Sequence, residues 1–138
     1  MNTGGKLSLD GFTFKLVTAV HSSMLPDSSY GGNPMGFVFW NDESCFYYSG
    51  DTALTLDMKL IPLMCPKLDF AILSVGDYFT MGYEDAILAS DFIECNNIVG
   101  CHYDSFPPIN IDHDKAKKAF TDAGKLLYLA KVEEEFEM

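Results

Sequence analysis

Three residues of the kinds that hold divalent metals sit just past three strand-like runs. His21 follows the apolar run at 12–20, Asp51 follows "SCFYYSG", and His102 follows "NIVGC". Two imidazoles and a carboxylate are a workable ligand set for a borderline-hard cation. In layered α/β folds the C-terminal strand edge is where sites are built, because the rigid sheet fixes what projects from it. Spacing alone leaves the choice open. A histidine after a strand can be a hydrogen-bonded structural residue, and the Ser-Gly-Asp of "YYSGDT" can be ordinary turn chemistry.

The elements that must position these residues follow from the pattern. "KLSLDGFTFKLVTAV" reads as a hairpin, two alternating runs joined by Asp10-Gly11, the pair that suits a tight two-residue turn. The polar loop "HSSMLPDSSYGGNP" has no periodicity. "MGFVFW" and "SCFYY" read as antiparallel partners around a turn at 41–43. A helical pattern covers 54–64, with Leu54, Met58, Ile61 and Leu63 or Met64 on its apolar face, ended by Pro66.

"LDFAILSV" is a strand, 83–93 a second helix, "NIVGC" a strand and "KLLYLAKV" the last strand. Asp112 caps a third helix, "HDKAKKAFTDA", which Gly124 closes. Strand and helix alternate through the second half, which favours a layered α/β arrangement with parallel pairs. "FAILSV", "NIVGC" and "LLYLA" have no polar side, so their sheet wants both faces covered. Three helices can cover one.

Composition narrows the classes. The chain has 138 residues, one domain's worth, with 48% hydrophobic and 14% aromatic content. Nine basic against 20 acidic residues give a net charge of −11. That balance argues against nonspecific binding to nucleic acid or anionic membranes, both of which need clustered Lys and Arg. A protein so acidic needs a local positive charge to handle an anionic substrate, and a metal ion can supply it. No apolar run approaches the roughly 18 residues of a membrane span, and the start lacks a signal-peptide core. Cys45, Cys65, Cys95 and Cys101 show no C-x-x-C spacing, so they read as reduced thiols in a cytoplasmic protein.

Four segments taken together, "AVHSSMLPDSSYGGNPMGFVF", "YYSGDTALTLDMKLI", "GDYFTMGYEDAILASDFI" and "IVGCHYDSFPPI", resemble the metallo-β-lactamase-fold hydrolases. The nearest branch is that of bacterial metal-dependent hydrolases related to ascorbate-6-phosphate lactonase. The resemblance runs in order from about residue 4 to 132. It implies an αββα sandwich with a metal site of one or two ions along one edge, zinc or manganese being the expected cation.

The family's later metal motifs map onto His21, Asp51 and His102. By that resemblance Asp51 bridges two ions, His21 serves one and His102 the other, and Asp51 and His102 are the catalytic pair. The implied reaction is hydrolysis of an ester, lactone or phosphoester of a small molecule by metal-activated water. Ligating imidazoles must be neutral, so activity should fall below about pH 6. Ser22, Ser23, Asn33, Asp77, Thr80 and Tyr103 are candidate pocket residues. Tyr48 stands where many relatives place a histidine.

The family's first motif, H-x-H-x-D-H, is absent, and His21, His102 and His113 are the only histidines. The chain therefore resembles the C-terminal half of the fold, residues 1–132, with an acidic tail at 133–138. Such a half leaves one sheet face without its cover, so a homo-oligomer or a missing N-terminal half is the expected partner. A rival reading is a non-catalytic half domain that folds and assembles but turns nothing over. A third, an unrelated α/β binding module, has no G-x-G-x-x-G or P-loop spacing behind it.

Overall fold

The computed structural model describes residues 1–131 and residue 135; the tail expected at 133–138 lies, apart from Glu135, outside the described residues. Seven strands form one sheet in chain order: β1 (Lys6–Leu9), β2 (Phe12–Thr18), β3 (Met35–Trp40), β4 (Cys45–Tyr48), β5 (Phe70–Ser74), β6 (Asn97–Cys101) and β7 (Leu126–Tyr128). The pairs from β1 to β4 are antiparallel and those from β4 to β7 parallel. The mixed α/β architecture matches the sequence expectation. The hairpin turn has Asp10 at φ +50 and Gly11 at φ +83, the left-handed pair that fits the twist of the strands it joins.

Two helices connect the parallel strands as expected. α2 (Tyr83–Phe92) joins β5 to β6, and α3 (His113–Asp122) joins β6 to β7. Asp112 caps α3 by accepting from the Lys115 N–H at 3.0 Å, and Gly124 follows its end at φ +73.

The continuous helix expected over 54–64 does not form. A 3-10 turn over Leu56–Leu60 gives way to a single helical turn, α1 (Ile61–Met64). Pro62 explains the break. It has no N–H to donate four residues back, so it sits in the first turn of a new helix instead of inside a long one. Met58 and Ile61 are buried as expected, but Leu63 and Met64 face solvent.

The helices pack on one face of the sheet. Val38, Tyr47, Ala71, Leu73 and Ile98 from that face join Met58, Ile61, Ala86, Ala89 and Phe120 in the core. The opposite face has no such layer among the described residues. Across it runs a row of rings set by the register, Phe14, Phe39, Phe46 and Phe70, with centroids 4.8–5.0 Å apart. The alternation of β1 and β2 puts Leu7, Leu9, Phe12 and Phe14 on this open side.

Candidate metal centre at the strand ends

Topology gathers the candidate residues on one rim. Because β2 runs antiparallel to β3, and β3 to β4, the strands β2, β4, β5, β6 and β7 all point the same way. Their C-terminal ends lead into His21, Asp51, Asp77 and His102.

Asp51 is delivered by a short, tightly bonded turn. Ser49 is fully buried; its hydroxyl donates to the Gly50 carbonyl at 2.7 Å and accepts from the Ser74 N–H at 3.3 Å. Gly50 takes φ +61, and a Cβ there would lie 3.0 Å from the Met35 carbonyl oxygen. The bend needs a glycine on both counts. Thr52, also fully buried, fastens the rim together. Its Oγ1 accepts from the Val20 N–H at 2.9 Å and donates to the Ala53 carbonyl at 2.8 Å, while its own carbonyl accepts from Met81 N–H at 2.9 Å. One residue thus locks the approach to His21 and the turn after Asp51 through its side chain, and the loop that carries Asp77 and Thr80 through its carbonyl.

His102 is set by close contact with β5. It adopts φ +55, and a Cβ at Gly76 would come 2.1 Å from its carbonyl oxygen, so only glycine permits this approach. The loop beyond it is pinned by Asp104, whose carboxylate accepts from the Ile111 N–H at 3.0 Å and meets His113 Nε2 at 2.5 Å. Against the opposing effect of burial, these two bonds hold the Asp104 carboxyl below its ordinary range.

The imidazole of His102 points its Nε2 at Asp51 Oδ2 across 3.5 Å. That is longer than a good hydrogen bond, for which 2.7–3.2 Å is usual. Its Nδ1 is buried without a hydrogen-bond partner among the described residues. Two ligands held 2.0–2.2 Å from a tetrahedral ion lie roughly 3.4 Å apart, so the Asp51–His102 spacing fits a shared cation better than a direct bond. Cys101 stands beside them: burial, and then the Asp51 charge, push its thiol up to about 12, so it is neutral.

His21 is on the same rim but not in the same cluster. Its Nδ1 bonds the Ser22 carbonyl at 2.9 Å, which leaves Nε2 for another partner. Among the described residues no three His, Cys, Asp or Glu side chains come together in a group able to hold an ion.

The candidate pocket residues divide into three groups. Asp77 and Thr80 form a tight turn closed by Asp77 N–H donating to Met81 O at 3.0 Å. Ser22, Ser23 and Asn33 belong to the loop after His21, where Asn33 accepts from the Tyr30 hydroxyl. Tyr103 turns the other way, donating to the Ala130 carbonyl at 2.7 Å and lining a cleft of about 580 Å³ with Asp104, His113 and Lys117. Sequence reasoning missed Thr52 and the Asp104–His113 pair. The available signal for Thr52 was a small hydroxyl right after Gly-Asp, a residue type that bonds nearby backbone.

The chain has recognisable relatives of the same fold. The profile of the beta-lactamase superfamily domain matches residues 1–102. A protein of Christiangramia forsetii named as a metal-dependent hydrolase is 54% identical over 138 residues, which is all of this chain and 61% of that one. A protein of Thermus thermophilus with the same description is 47% identical over 112 residues, 81% of this chain and 49% of the other. The structure of Igni18, a metallo hydrolase of Ignicoccus hospitalis, superposes with a TM-score of 0.84 at 31% identity, over 99% of this chain and 60% of that one. The chain thus spans about three fifths or less of the length of these relatives. With its mixed sheet, its helix layer and the matched residues, the chain belongs to the beta-lactamase superfamily.

Proposed function

We propose that the chain carries part of the active centre of a metal-dependent hydrolase, with Asp51 and His102 as two ligands of one divalent cation and Asp51 bridging to a second that His21 serves. The observation that carries this reading is the 3.5 Å separation of Asp51 Oδ2 and His102 Nε2 at the strand-end rim. The names of the relatives support it, since they are described as metal-dependent hydrolases.

A divalent ion at this corner supplies a water of lowered pKa and polarises the bond under attack. The chain's own residues supply position. Gly50 lets the backbone bend so that Asp51 reaches the rim, Gly76 lets the His102 carbonyl lie against β5, and Thr52 keeps both loops in register with His21. Asp77 and Thr80 flank the corner as substrate-facing groups, and esters, lactones or phosphoesters are the bond classes proposed. Zinc and manganese are the cations to test first.

A second reading keeps the fold and drops the turnover. The lack of a three-ligand group among the described residues favours it, because a tight site needs about four well-placed donors. Calorimetric titration of the purified chain with zinc and manganese separates the two. The hydrolase reading expects about one equivalent of metal or more, bound at least tenfold more weakly by His102→Ala and by Asp51→Ala. No binding above that of a chain carrying both substitutions leaves the non-catalytic reading standing.

A further inference from the structure

The three lysines of α3 differ in what they meet. Lys118 pairs with Asp122 at 2.6 Å, and Lys115 lies over the Tyr83 ring. The ammonium of Lys117 makes no ion pair or hydrogen bond among the described residues. It stands instead at a cleft of about 580 Å³ that His113, one turn earlier on α3, also lines. The cleft is on the helix side of the sheet, at the ends of β6 and β7, since its walls come from α3 and from Leu129 of the core. It includes none of Asp51, Asp77 and His102, and none of the open-face rings.

We infer that this cleft binds a small organic acid, with its oxyanion head on Lys117 and His113 and its apolar body over Leu129 and Ala130. In a chain of net charge −11, an ammonium group without a partner at the mouth of a cleft is a local positive feature. Among the described residues only one carboxylate lines the cleft, that of Asp104, and it is already engaged. It accepts from the Ile111 N–H and from His113 Nε2. An ionised carboxylate only accepts, so Nε2 carries the hydrogen. The other ring nitrogen, Nδ1, has no bond among the described residues, and in the protonated ring it donates to an oxyanion beside Lys117.

The walls are held in place without a ligand. The Tyr103 hydroxyl donates to the Ala130 carbonyl at 2.7 Å, which ties the loop after β6 to the segment after β7. The Tyr103 ring meets that of His113 edge to face, with centroids 5.5 Å apart, so the imidazole is gripped by Asp104 on one side and by Tyr103 on another. Groups fixed in this way lose little freedom when a ligand docks. The volume falls within the roughly 300–1,000 Å³ of small-molecule sites, which combine an apolar lining with a few placed polar groups. Leu129 and Ala130 give the apolar part and Lys117 and His113 the polar one.

Proton–nitrogen correlation spectra of the imidazole rings test this on the 138-residue chain stripped of metal on a chelating resin, independently of the metal corner. They are recorded at about pH 6, where an ordinary imidazole is largely protonated, while benzoate, phenyl phosphate or neutral benzyl alcohol is added. Benzoate or phenyl phosphate should shift the His113 resonances to saturation, with a dissociation constant of about 1 mM or tighter, and the tighter of the two names the head as carboxylate or phosphate. Benzyl alcohol should bind at least tenfold more weakly. Lys117→Ala, an exposed change that keeps the helix, should cost at least tenfold in affinity, whereas Lys118→Ala and Asp51→Ala should bind as the parent does. Unshifted His113 resonances, benzyl alcohol binding as tightly as benzoate, or equal losses in Lys117→Ala and Lys118→Ala would overturn the proposal. Binding abolished by Asp51→Ala would overturn it too, by putting the anion at the rim.

Discussion

The helix side and the open side of the sheet are made by alternate residues of the same strands, yet they differ in kind. On the helix side, small and branched residues such as Ala71, Leu73 and Ile98 interlock with α2 and α3 and are fully buried. On the open side, large rings stand in a row with solvent over them. The contrast teaches that a parallel strand lacking a polar side specifies two layers of packing. Only one of them is supplied by the described residues. The rim at the strand ends belongs to both sides, because the turns that end at Asp51 and His102 are fixed from the helix side and face the edge of the open one.

The largest expected effect contrasts the two sides directly. Phe120→Ala removes a fully buried ring beneath the sheet and should cost about 3–5 kcal/mol in urea unfolding. Phe70→Ala, on the open side, should cost the single chain under about 1.5 kcal/mol by the same measurement when run dilute, because less surface leaves water there. Equal losses would mean that the open face is covered.

Next comes the rim. Gly76→Ala would place a Cβ 2.1 Å from the His102 carbonyl oxygen, and this contact is with backbone that cannot swing away. A destabilisation of about 2–4 kcal/mol is expected, with weaker metal binding by calorimetry. Thr52→Val keeps the shape but leaves the Val20 N–H without its acceptor. About 1–3 kcal/mol should be lost, together with tenfold or more in metal affinity, since outer-shell bonds orient ligands.

The smallest effect is a pH dependence on the helix side. Burial, helped by the neighbouring Cys65, Asp69 and Cys95 charges, pushes the Cys45 thiol from 9.0 up to about 12. A raised value means that the folded state holds the proton more tightly than the unfolded one. Stability is therefore full below about pH 9 and declines as the pH rises from 9 towards 12. Cys45→Ala should flatten that decline in unfolding midpoints followed by circular dichroism.

Much of this arrangement can be read in the residues themselves. Asp10-Gly11 announces the hairpin, Asp112 and Gly124 bracket α3, and the strands before His21, Asp51 and His102 are plain from their alternation or apolar runs. What escaped was of two physical kinds. At 54–64 the apolar spacing competes with Pro62, and the missing N–H wins over periodicity. The Thr52 network depends on partners 20 or more residues away, as with Val20 or Met81 on Thr52, and the Asp104–His113 pair on a loop's particular path, and such contacts have no local signature. The open face was legible in outline from the apolar strands. Its extension onto β1 and β2 emerged only once the register showed which hairpin side faced which way.

With only three histidines in the chain, one spectrum addresses the central claim that Asp51 and His102 form a corner for a single cation. In a proton–nitrogen correlation spectrum of the imidazole rings, recorded during titration with zinc, the His102 resonances should shift in step with metal added. Those of His113, held by Asp104 away from the rim, should keep their positions. A His102 ring that stays unchanged while His113 responds, or while neither does, would contradict the account.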